Sequence, residues 1–350
     1  MLQVISNDDS IKWNKIVKSF KDHDVYYLAE YSKAFQIHGD GDPILFYFDN
    51  GKIRAINVVM KRDIALDTNF KNKIPKDTYF DIITPYGYGG WIIEGEKENY
   101  CDIFQSYEQY SDKNSIVCEF VRFHPVLQNI NGLEASYNIV ELGKTISIDL
   151  VSKEQIFADF TSKNRNMIRK ALKNDVAIYW GRSPYLFEKF EEIYNTTMDK
   201  DDATEYYYFD NDFYDSILND LKHNCLIFYA VYENKIISMS LIIFANNKAH
   251  YHLSGSEREY LQLAPTNLLL HEASIWALEN GFQTLHLGGG LGAKEDSLFS
   301  FKKAFNREKV NKFYIGKKLF NDKAYRELSE IRKSESNFDP NSAFFPIYRQ

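Results

Sequence analysis

A chain of 350 residues is long for one hydrophobic core, so the sequence predicts two domains. Its composition, 44% hydrophobic and 26% charged, is that of a globular protein, and a net charge of −7 without a basic stripe excludes a generic DNA-binding protein. The three cysteines have no metal or redox spacing, and we expect neither a metal site nor a tightly bound cofactor. The sequence shows no signal-peptide pattern and no apolar run of membrane-spanning length, which predicts a cytoplasmic protein.

The first half of the chain alternates helices and strands. Residues 1–36 are predicted to be helical, and a hairpin follows around Asp49-Asn50-Gly51, a strong turn signal. Residues 81–91 combine glycines and aromatics and are predicted to form a loop. The remaining elements predicted in this half are a helix at 100–111 and strands at 115–120 and 145–150.

A second series of elements begins after residue 150, which suggests a duplicated α+β fold. Its basic helix, 164–173, carries Arg165, Arg169, Lys170 and Lys173, and its loop 205–209 is unusually aromatic. A hairpin is predicted around Glu233-Asn234. The other predicted elements are helices at 153–160, 184–197 and 213–222, strands at 176–180, 226–233 and 235–244, and a tail at 310–350 with one strand and one helix.

The stretch 248–305 carries the strongest functional signal. It predicts a strand at 248–254, a helix opened by Pro265 and ended by Asn280-Gly281, and a second strand at 284–287. A unit of this kind makes a right-handed crossover between parallel strands. Ligands of such sheets bind where strands end, which predicts a cleft at Ser254, Gly255, Gly288, Gly289 and Gly290.

The whole chain resembles the FemAB/FemX family of tandem-GNAT aminoacyltransferases. The resemblance rests on the order and spacing of several passages rather than on any one of them. These are Pro85-Tyr-Gly-Tyr-Gly-Gly90, Arg122-Phe-His-Pro125, Lys163-Asn-Arg-Asn-Met-Ile-Arg-Lys-Ala171, Tyr251-His-Leu-Ser-Gly255, the Pro265 helix, Leu287-Gly-Gly-Gly290 and Phe301-Lys302.

This resemblance implies an α+β fold of two tandem GNAT-like domains (acyl-CoA N-acyltransferase type), with mixed sheets flanked by helices. The expected domains are 1–147, with the tail 315–350 packing back on it, and 148–314, which carries the transfer cleft. It also implies transfer of an aminoacyl group from aminoacyl-tRNA to an amine of a cell-wall precursor. The pair Phe301-Lys302 is expected in the transfer cleft.

The turn before the Pro265 helix bears on the acyl donor. In GNAT enzymes that use acyl-CoA, a glycine-containing turn and the backbone N–H groups of the following helix hold the pyrophosphate. Here Gln262-Leu-Ala-Pro265-Thr-Asn267 occupies that place, with a proline that removes one donor and an asparagine instead of the second glycine. This degraded turn favours aminoacyl-tRNA, or some other activated acyl group, over acyl-CoA.

Two residues are candidates for catalysis. Lys302 could stabilise the charge that develops on the carbonyl oxygen, or hold the terminal phosphate or ribose of the tRNA; a solvated surface lysine is the plain alternative. His252 is a candidate base, because strand alternation places His250, His252 and Ser254 on one face, although a structural histidine is the commoner case. The resemblance also allows catalysis by positioning alone.

Substrate binding is assigned to residues that line the expected cleft or offer an aromatic or cationic surface. Tyr208 could stack on a base or sugar, or belong to an aromatic cluster, and Arg165 could guide a phosphate or be an ordinary charged residue. The complete set is Phe301, Tyr208, Tyr251, Ser254, Gly255, Gly288, Gly289, Gly290 and Arg165.

The sequence thus predicts an acyltransferase that forms an amide on a cell-envelope precursor. The expected partners are the acceptor end of aminoacyl-tRNA and a muropeptide or a nucleotide- or lipid-linked amino sugar, with a transient encounter at the membrane surface and no DNA. The acceptor stays open because Lys33 is out of register with the lysine that binds muropeptide in the family. The alternatives are an acyl-CoA-dependent N-acyltransferase acting on an amino sugar, and a catalytically silent GNAT-like scaffold.

Overall fold

The computed structural model describes residues 1–336 and 338–350. The chain divides into two compact units, one made of Met1–Leu142 with Phe313–Gln350 and the other of Gly143–Lys312. The boundaries expected from the sequence, 147/148 and 314/315, lie within five residues of these. Among the described residues, none of the helices combines the length and the apolar character needed to cross a lipid bilayer.

The first unit is built on a mixed sheet. Its helices are α1 Ser10–Val17, α2 Ala29–Ile37, α3 Tyr100–Lys113 and α10 Asp322–Lys333, and its strands are β1 Leu2–Ser6, β2 Asp42–Asp49, β3 Arg54–Asp63, β4 Phe80–Ile83, β5 Ile92–Glu94, β6 Ile116–Arg122 and β13 Asn311–Leu319. The strands run in the order β1-β2-β3-β4-β6-β13, and β5 pairs with β3. Among the described residues, β4 and β6 pair in parallel and the other pairs are antiparallel.

Both faces of this sheet are covered. Val121 and Phe123 of the β6 edge belong to the apolar cluster that includes Ile103, Phe104 and Tyr107 of α3. Cys118 of β6 belongs to the cluster on the opposite face with α10 and Tyr348. Alternation along β6 therefore directs Cys118, Phe120 and Arg122 towards the C-terminal segment of the chain.

The second unit is a sheet between two helical layers. The elements are β7 Asn138–Asp149, α4 Lys153–Asp159, α5 Ser162–Lys173, β8 Ala177–Gly181, α6 Pro184–Lys200, α7 Asn211–Asn219, β9 Cys225–Tyr232, β10 Lys235–Ala245, β11 Lys248–Ser256, α8 Pro265–Glu279, β12 Thr284–Gly288 and α9 Ser297–Lys303. The strand order is β7-β12-β11-β10-β9-β8, with β11 and β12 parallel and the other pairs antiparallel. One face packs on α4, α5 and α8, and α6 lies against β10 and β11.

Most predicted elements are confirmed, and two predictions in the first unit are wrong. Both predicted hairpins form, as β2–β3 and β9–β10, and the crossover β11-α8-β12 joins parallel strands. Residues 2–6, expected in a helical region, form β1, which pairs with β2. Residues 80–83, which overlap the expected glycine-aromatic loop, form β4, and the loop begins only after Ile83.

Candidate functional site

The strands β11 and β12 open apart in the second unit. They pair in parallel at Lys248–His250 with Thr284–His286, and β11 then continues to Ser256 paired with β10. On the other side, β12 pairs with β7 and has a bulge between His286 and Gly288, where the strand ends. The opening between these strand ends is the place where ligands gather in such sheets. We call it the strand cleft.

A β-bulge at His252 changes which side chains face the strand cleft. Leu253 pairs with Leu241, and Tyr251 pairs with Ile242, so His252 has no opposite residue on β10. The bulge reverses the alternation, and Tyr251 shares a face with Ser254. The prediction that His250, His252 and Ser254 lie on one face is therefore wrong, since His250 and Ser254 face opposite sides of the sheet.

A row of hydroxyl groups lies on the Tyr251 side of the sheet. The Oγ atoms of Ser240 and Ser254 are 3.0 Å apart, and Tyr251 hydrogen bonds with both side chains. The Oγ atoms of Ser238 and Ser256 are 2.8 Å apart, and the Thr266 Oγ1 at the start of α8 lies 3.1 Å from each. Ser238, Ser240 and Thr266 were not predicted as site residues from the sequence. The signal was present in two Ser-x-Ser segments on adjacent strands, residues 238–240 and 254–256.

Lys302 is buried at the edge of the strand cleft. Its side chain is 8% exposed, its Nζ donates to the Gly289 carbonyl at 2.7 Å, and it lies 5.7 Å from the centre of the Tyr251 ring. Burial lowers the pKa of this ammonium to about 8, and the carboxylate of Asp296 limits the fall. A lysine with this pKa is charged at neutral pH and can give up its proton at low cost. The alternative of a solvated surface lysine is wrong for this residue.

The three consecutive glycines of the strand cleft fold the chain tightly after β12. Gly288 has a positive φ of 77°, a conformation that glycine adopts without steric cost. A Cβ on Gly289 would lie 2.6 Å from the Lys144 carbonyl oxygen, and one on Gly290 would lie 2.1 Å from that of Lys294. Gly289 and Gly290 therefore allow this turn to pack closely against the backbone of Lys144 and Lys294. The same tight turn brings the Gly289 carbonyl to Lys302.

Gly255 fixes the packing of β11 on α6. A Cβ added there would lie 2.7 Å from the Ile193 carbonyl oxygen and 2.9 Å from the Tyr194 Cα, both backbone atoms. We expect Gly255→Ala to destabilise the second unit by about 2 kcal/mol or more in urea unfolding, because backbone cannot yield as a side chain can. Gly181→Ala is the matched control, since its Cβ would meet only the Leu186 Cδ1 at 3.2 Å. Equal losses in both variants would contradict this packing.

The histidines near the strand cleft are buried to different extents. His250 and His286 are buried, their Nδ1 atoms are 3.5 Å apart, and the His286 Nε2 lies 2.9 Å from the Thr145 Oγ1. Burial, together with the charge of His250, lowers the pKa of His252 to about 3. An imidazole with this pKa stays neutral at physiological pH and is a weak base towards an ammonium group.

Buried imidazoles make the second unit sensitive to acid. Burial lowers the pKa of His252 to about 3 and that of His271 to about 4, against 6.5 for the unfolded chain. The unfolded state therefore binds more protons below pH 6.5, and stability that is present above this pH is lost as the pH falls. By pH 5 we expect a loss of about 1–2 kcal/mol per histidine in urea unfolding. His252→Gln should remove about half of the stability loss seen at pH 5. A loss as large as that of the unaltered protein would contradict the contribution assigned to His252.

Three predicted substrate contacts are held by other parts of the second unit. The Arg165 guanidinium donates to the carbonyls of Ala158, at 3.1 Å, and Phe160, at the end of α4. The Tyr208 hydroxyl donates to the Asp199 carboxylate at 2.8 Å. Phe301 is half-buried against the core, with its ring edge-on to that of Phe305. The strand cleft itself brings together Tyr251, Ser254, Gly288–Gly290 and Lys302.

The first turn of α8 has its polar side chains committed to the protein. Ala264 adopts a left-handed conformation before Pro265, the first residue of the helix, and no side chain caps this end. The Thr266 hydroxyl belongs to the hydroxyl row, and the Asn267 amide donates to the Asn164 Oδ1 at 2.8 Å. Gln262 lies before this turn in a 3-10 segment and is exposed.

The second unit matches a known acyltransferase domain. Residues 162–302 match the family model described as "Acetyltransferase (GNAT) domain". This match covers the basic helix α5, the strand cleft and Lys302. The predicted class of enzyme, an acyltransferase, is confirmed. A comparison with curated protein sequences finds no significant match.

Solved structures show the fold of the whole chain. FemX matches with a TM-score of 0.67 at 14% identity, over 93% of this chain and 99% of that one. L-PGS from Bacillus licheniformis matches with a TM-score of 0.57 at 12% identity, over 93% and 96%. A C-terminal domain described as that of a lysylphosphatidylglycerol synthetase from Agrobacterium fabrum also gives 0.57, at 13% identity, over 94% and 97%. The predicted tandem GNAT fold of the FemX type is confirmed.

Proposed function

We propose that the second unit transfers an aminoacyl group from aminoacyl-tRNA to an amine of a cell-envelope precursor. The observation that carries the proposal is the buried Lys302 at the point where β11 and β12 part. In open α/β sheets, ligands bind outside the carboxyl ends of the parallel strands, and this opening lies at such ends. The hydroxyl row and Lys302 line this opening with polar groups on a rigid sheet.

In the proposed reaction the acceptor amine attacks the ester carbonyl of the donor. A C–N bond forms, the C–O bond to the ribose breaks, and negative charge develops on the carbonyl oxygen in between. The Lys302 ammonium stabilises this oxyanion, and its pKa near 8 suits transfer of a proton between the attacking amine and the leaving ribose oxygen. His252, with a pKa of about 3, is the weaker candidate for this proton transfer.

The first turn of α8 favours a donor other than acyl-CoA. A helix N-terminus holds pyrophosphate through free backbone N–H groups and glycines that permit close approach. Pro265 has no N–H, and the Thr266 and Asn267 side chains are hydrogen bonded within the protein. An aminoacyl ester does not need a pyrophosphate site at this position.

The cell envelope is the proposed source of the acceptor. FemX and a lysylphosphatidylglycerol synthetase are among the structures that share the fold, and the second name includes an aminoacylated lipid. A muropeptide or a nucleotide- or lipid-linked amino sugar provides the amine that an amide requires. We propose that the transfer occurs in the cytoplasm, where charged tRNA is present, with a transient encounter at the membrane surface.

A donor panel tests this function. The purified chain is incubated with acceptor amines and either tRNA charged with a mixture of labelled amino acids or acetyl-CoA, and amide products are read by mass spectrometry. We expect amide from charged tRNA and none from acetyl-CoA, with uncharged tRNA plus free amino acid as the blank. Amide formed from acetyl-CoA alone would make acyl-CoA the donor in place of aminoacyl-tRNA. The absence of product with any donor would favour a catalytically silent scaffold.

A further inference from the structure

The first unit contains a cavity that takes no part in the proposed transfer. Its volume is about 430 Å³, and it lies between one face of the sheet and the C-terminal segment 343–349. Five charged side chains line it, and four of the five are cationic: Arg62, Asp67, Arg122, Lys317 and Arg349. The apolar part of the lining includes Phe120, Phe344 and Phe345.

Two of the four cations are neutralised by carboxylates. The buried Asp81 accepts from the Arg62 Nε at 2.8 Å and from the Arg349 Nε, and Asp67 accepts from the Arg349 Nη1 at 2.8 Å. Burial would raise the pKa of Asp81, but Arg62 and Arg349 outweigh it and lower the pKa. Two arginines and two carboxylates therefore balance in charge.

The other two cations are not balanced. Arg122 donates to the carbonyls of Thr84, Pro85 and Gly87, at 2.8, 2.9 and 3.0 Å, and Lys317 donates to that of Ala343 at 3.1 Å. Among residues 1–336 and 338–350, neither forms an ion pair. The cavity consequently carries an excess of two positive charges.

These two cations lie close enough to bind one anion. Arg122 pairs with Ile315 and Phe120 with Lys317 across the antiparallel strands β6 and β13, so Arg122 and Lys317 are diagonal neighbours on one face. Such neighbours are about 7–8 Å apart at the backbone, and long side chains from both positions can converge. Within the described chain, the Arg349 Nη2 is buried and has no hydrogen-bond partner, which adds an unused donor at the same cavity.

We propose that this cavity binds a phosphate monoester with an apolar or aromatic body. The doubly charged phosphate matches the two unbalanced cations, and a guanidinium suits phosphate geometry. The phenyl rings of Phe120, Phe344 and Phe345 receive the rest of the molecule. A nucleotide and a phosphorylated lipid share this chemistry. The site belongs to the first unit and does not depend on the transferase function.

Calorimetric titration of the full chain tests the site. Phenyl phosphate serves as the minimal probe, and inorganic phosphate is the matching probe without an apolar group. Uridine monophosphate and dihexanoyl phosphatidic acid distinguish a nucleotide from a lipid. We expect saturable binding of phenyl phosphate, tighter than that of inorganic phosphate and weakened by salt. The tighter of the last two probes identifies the natural source.

Two variants locate the binding. Lys317 is half-buried and outside the core, so Lys317→Gln should fold normally and weaken phenyl phosphate about tenfold. Lys323→Gln, which removes the same charge from an exposed site on α10, should change the affinity less than about twofold. Phe344→Ala should remove the advantage of phenyl phosphate over inorganic phosphate. Absence of saturation in the unaltered protein, or equal losses in both lysine variants, would overturn the proposal.

Discussion

Replacing Lys302 by methionine is expected to slow transfer strongly and to stabilise the fold at the same time. Loss of a group that stabilises an oxyanion lowers kcat by about 10²–10³-fold. Burial costs the charged form about 3 kcal/mol, because the folded pKa is about 8 and that of the unfolded chain is 10.5. Methionine avoids this cost but gives up the hydrogen bond to Gly289, so we expect a gain of about 1–3 kcal/mol at pH 7.

The stability gained by Lys302→Met depends on pH. Between pH 8 and pH 10.5 the unfolded state binds more protons at Lys302, so the unaltered protein gains stability as the pH rises through this window. The advantage of Lys302→Met is therefore complete below pH 8 and lost by pH 10.5. Lys303→Met is the control, since Lys303 is adjacent and more exposed, and both effects should be small there. Full transfer activity in Lys302→Met would remove the lysine from the mechanism.

Asp81→Ala is expected to produce the largest loss of stability in the first unit. The carboxylate is fully buried, pairs with Arg62 and Arg349, and accepts from the Tyr348 hydroxyl at 3.0 Å. Its removal leaves the half-buried Arg62 without its counterion and the buried Arg349 with Asp67 alone, which costs about 3–5 kcal/mol. The loss should appear as a lower midpoint in urea unfolding.

Asp67→Ala provides the comparison for this network. Asp67 is more exposed than Asp81, and its carboxylate pairs with the Arg349 Nη1 and accepts from the Asn69 backbone N–H. We expect a loss of no more than about 1–2 kcal/mol, because Arg349 keeps its bond to Asp81. Similar losses in the two variants would contradict the central role of Asp81.

Local sequence signals predicted the elements whose causes are local. Asp49-Asn50-Gly51 gave a hairpin because its glycine accepts a φ of 82° at the turn. Pro265 and Asn280-Gly281 bounded α8 because the former suits the first turn and the latter ends the helix. These two signals were sufficient for the crossover that positions the strand cleft.

Elements with weak local patterns were missed. β1 is five residues long and mostly exposed, so it carries no clear alternation, and its pairing with β2 joins residues 38 to 46 positions apart in the chain. β4 has four residues and ends next to Thr84-Pro85, where the proline and the following glycines suggest a loop. Pairing with other strands of the sheet determines the conformation of both β1 and β4. The local sequence does not show which segments will pair.

The sequence indicated several residues that lie at the strand cleft, but not how their side chains are arranged there. The glycines were found from the ends of the predicted strands and Lys302 through the resemblance, whereas the bulge at His252 depends on how β11 meets β10 and leaves no mark in the sequence. That bulge brought Tyr251 to the face of Ser254 and Ser240. The burial that lowers the Lys302 pKa likewise arises from packing, which residue identity alone does not give.

Competitive acetylation of Lys302 tests the central claim most directly. The protein is treated with trace acetic anhydride from pH 6 to pH 11, and the labelling of each lysine is read by mass spectrometry. We expect Lys302 to become reactive with a midpoint near pH 8, while Lys303 follows a higher pKa, and we expect aminoacyl-tRNA to protect Lys302. A Lys302 midpoint above pH 10, or labelling that aminoacyl-tRNA leaves unchanged, would contradict a transfer site at this lysine.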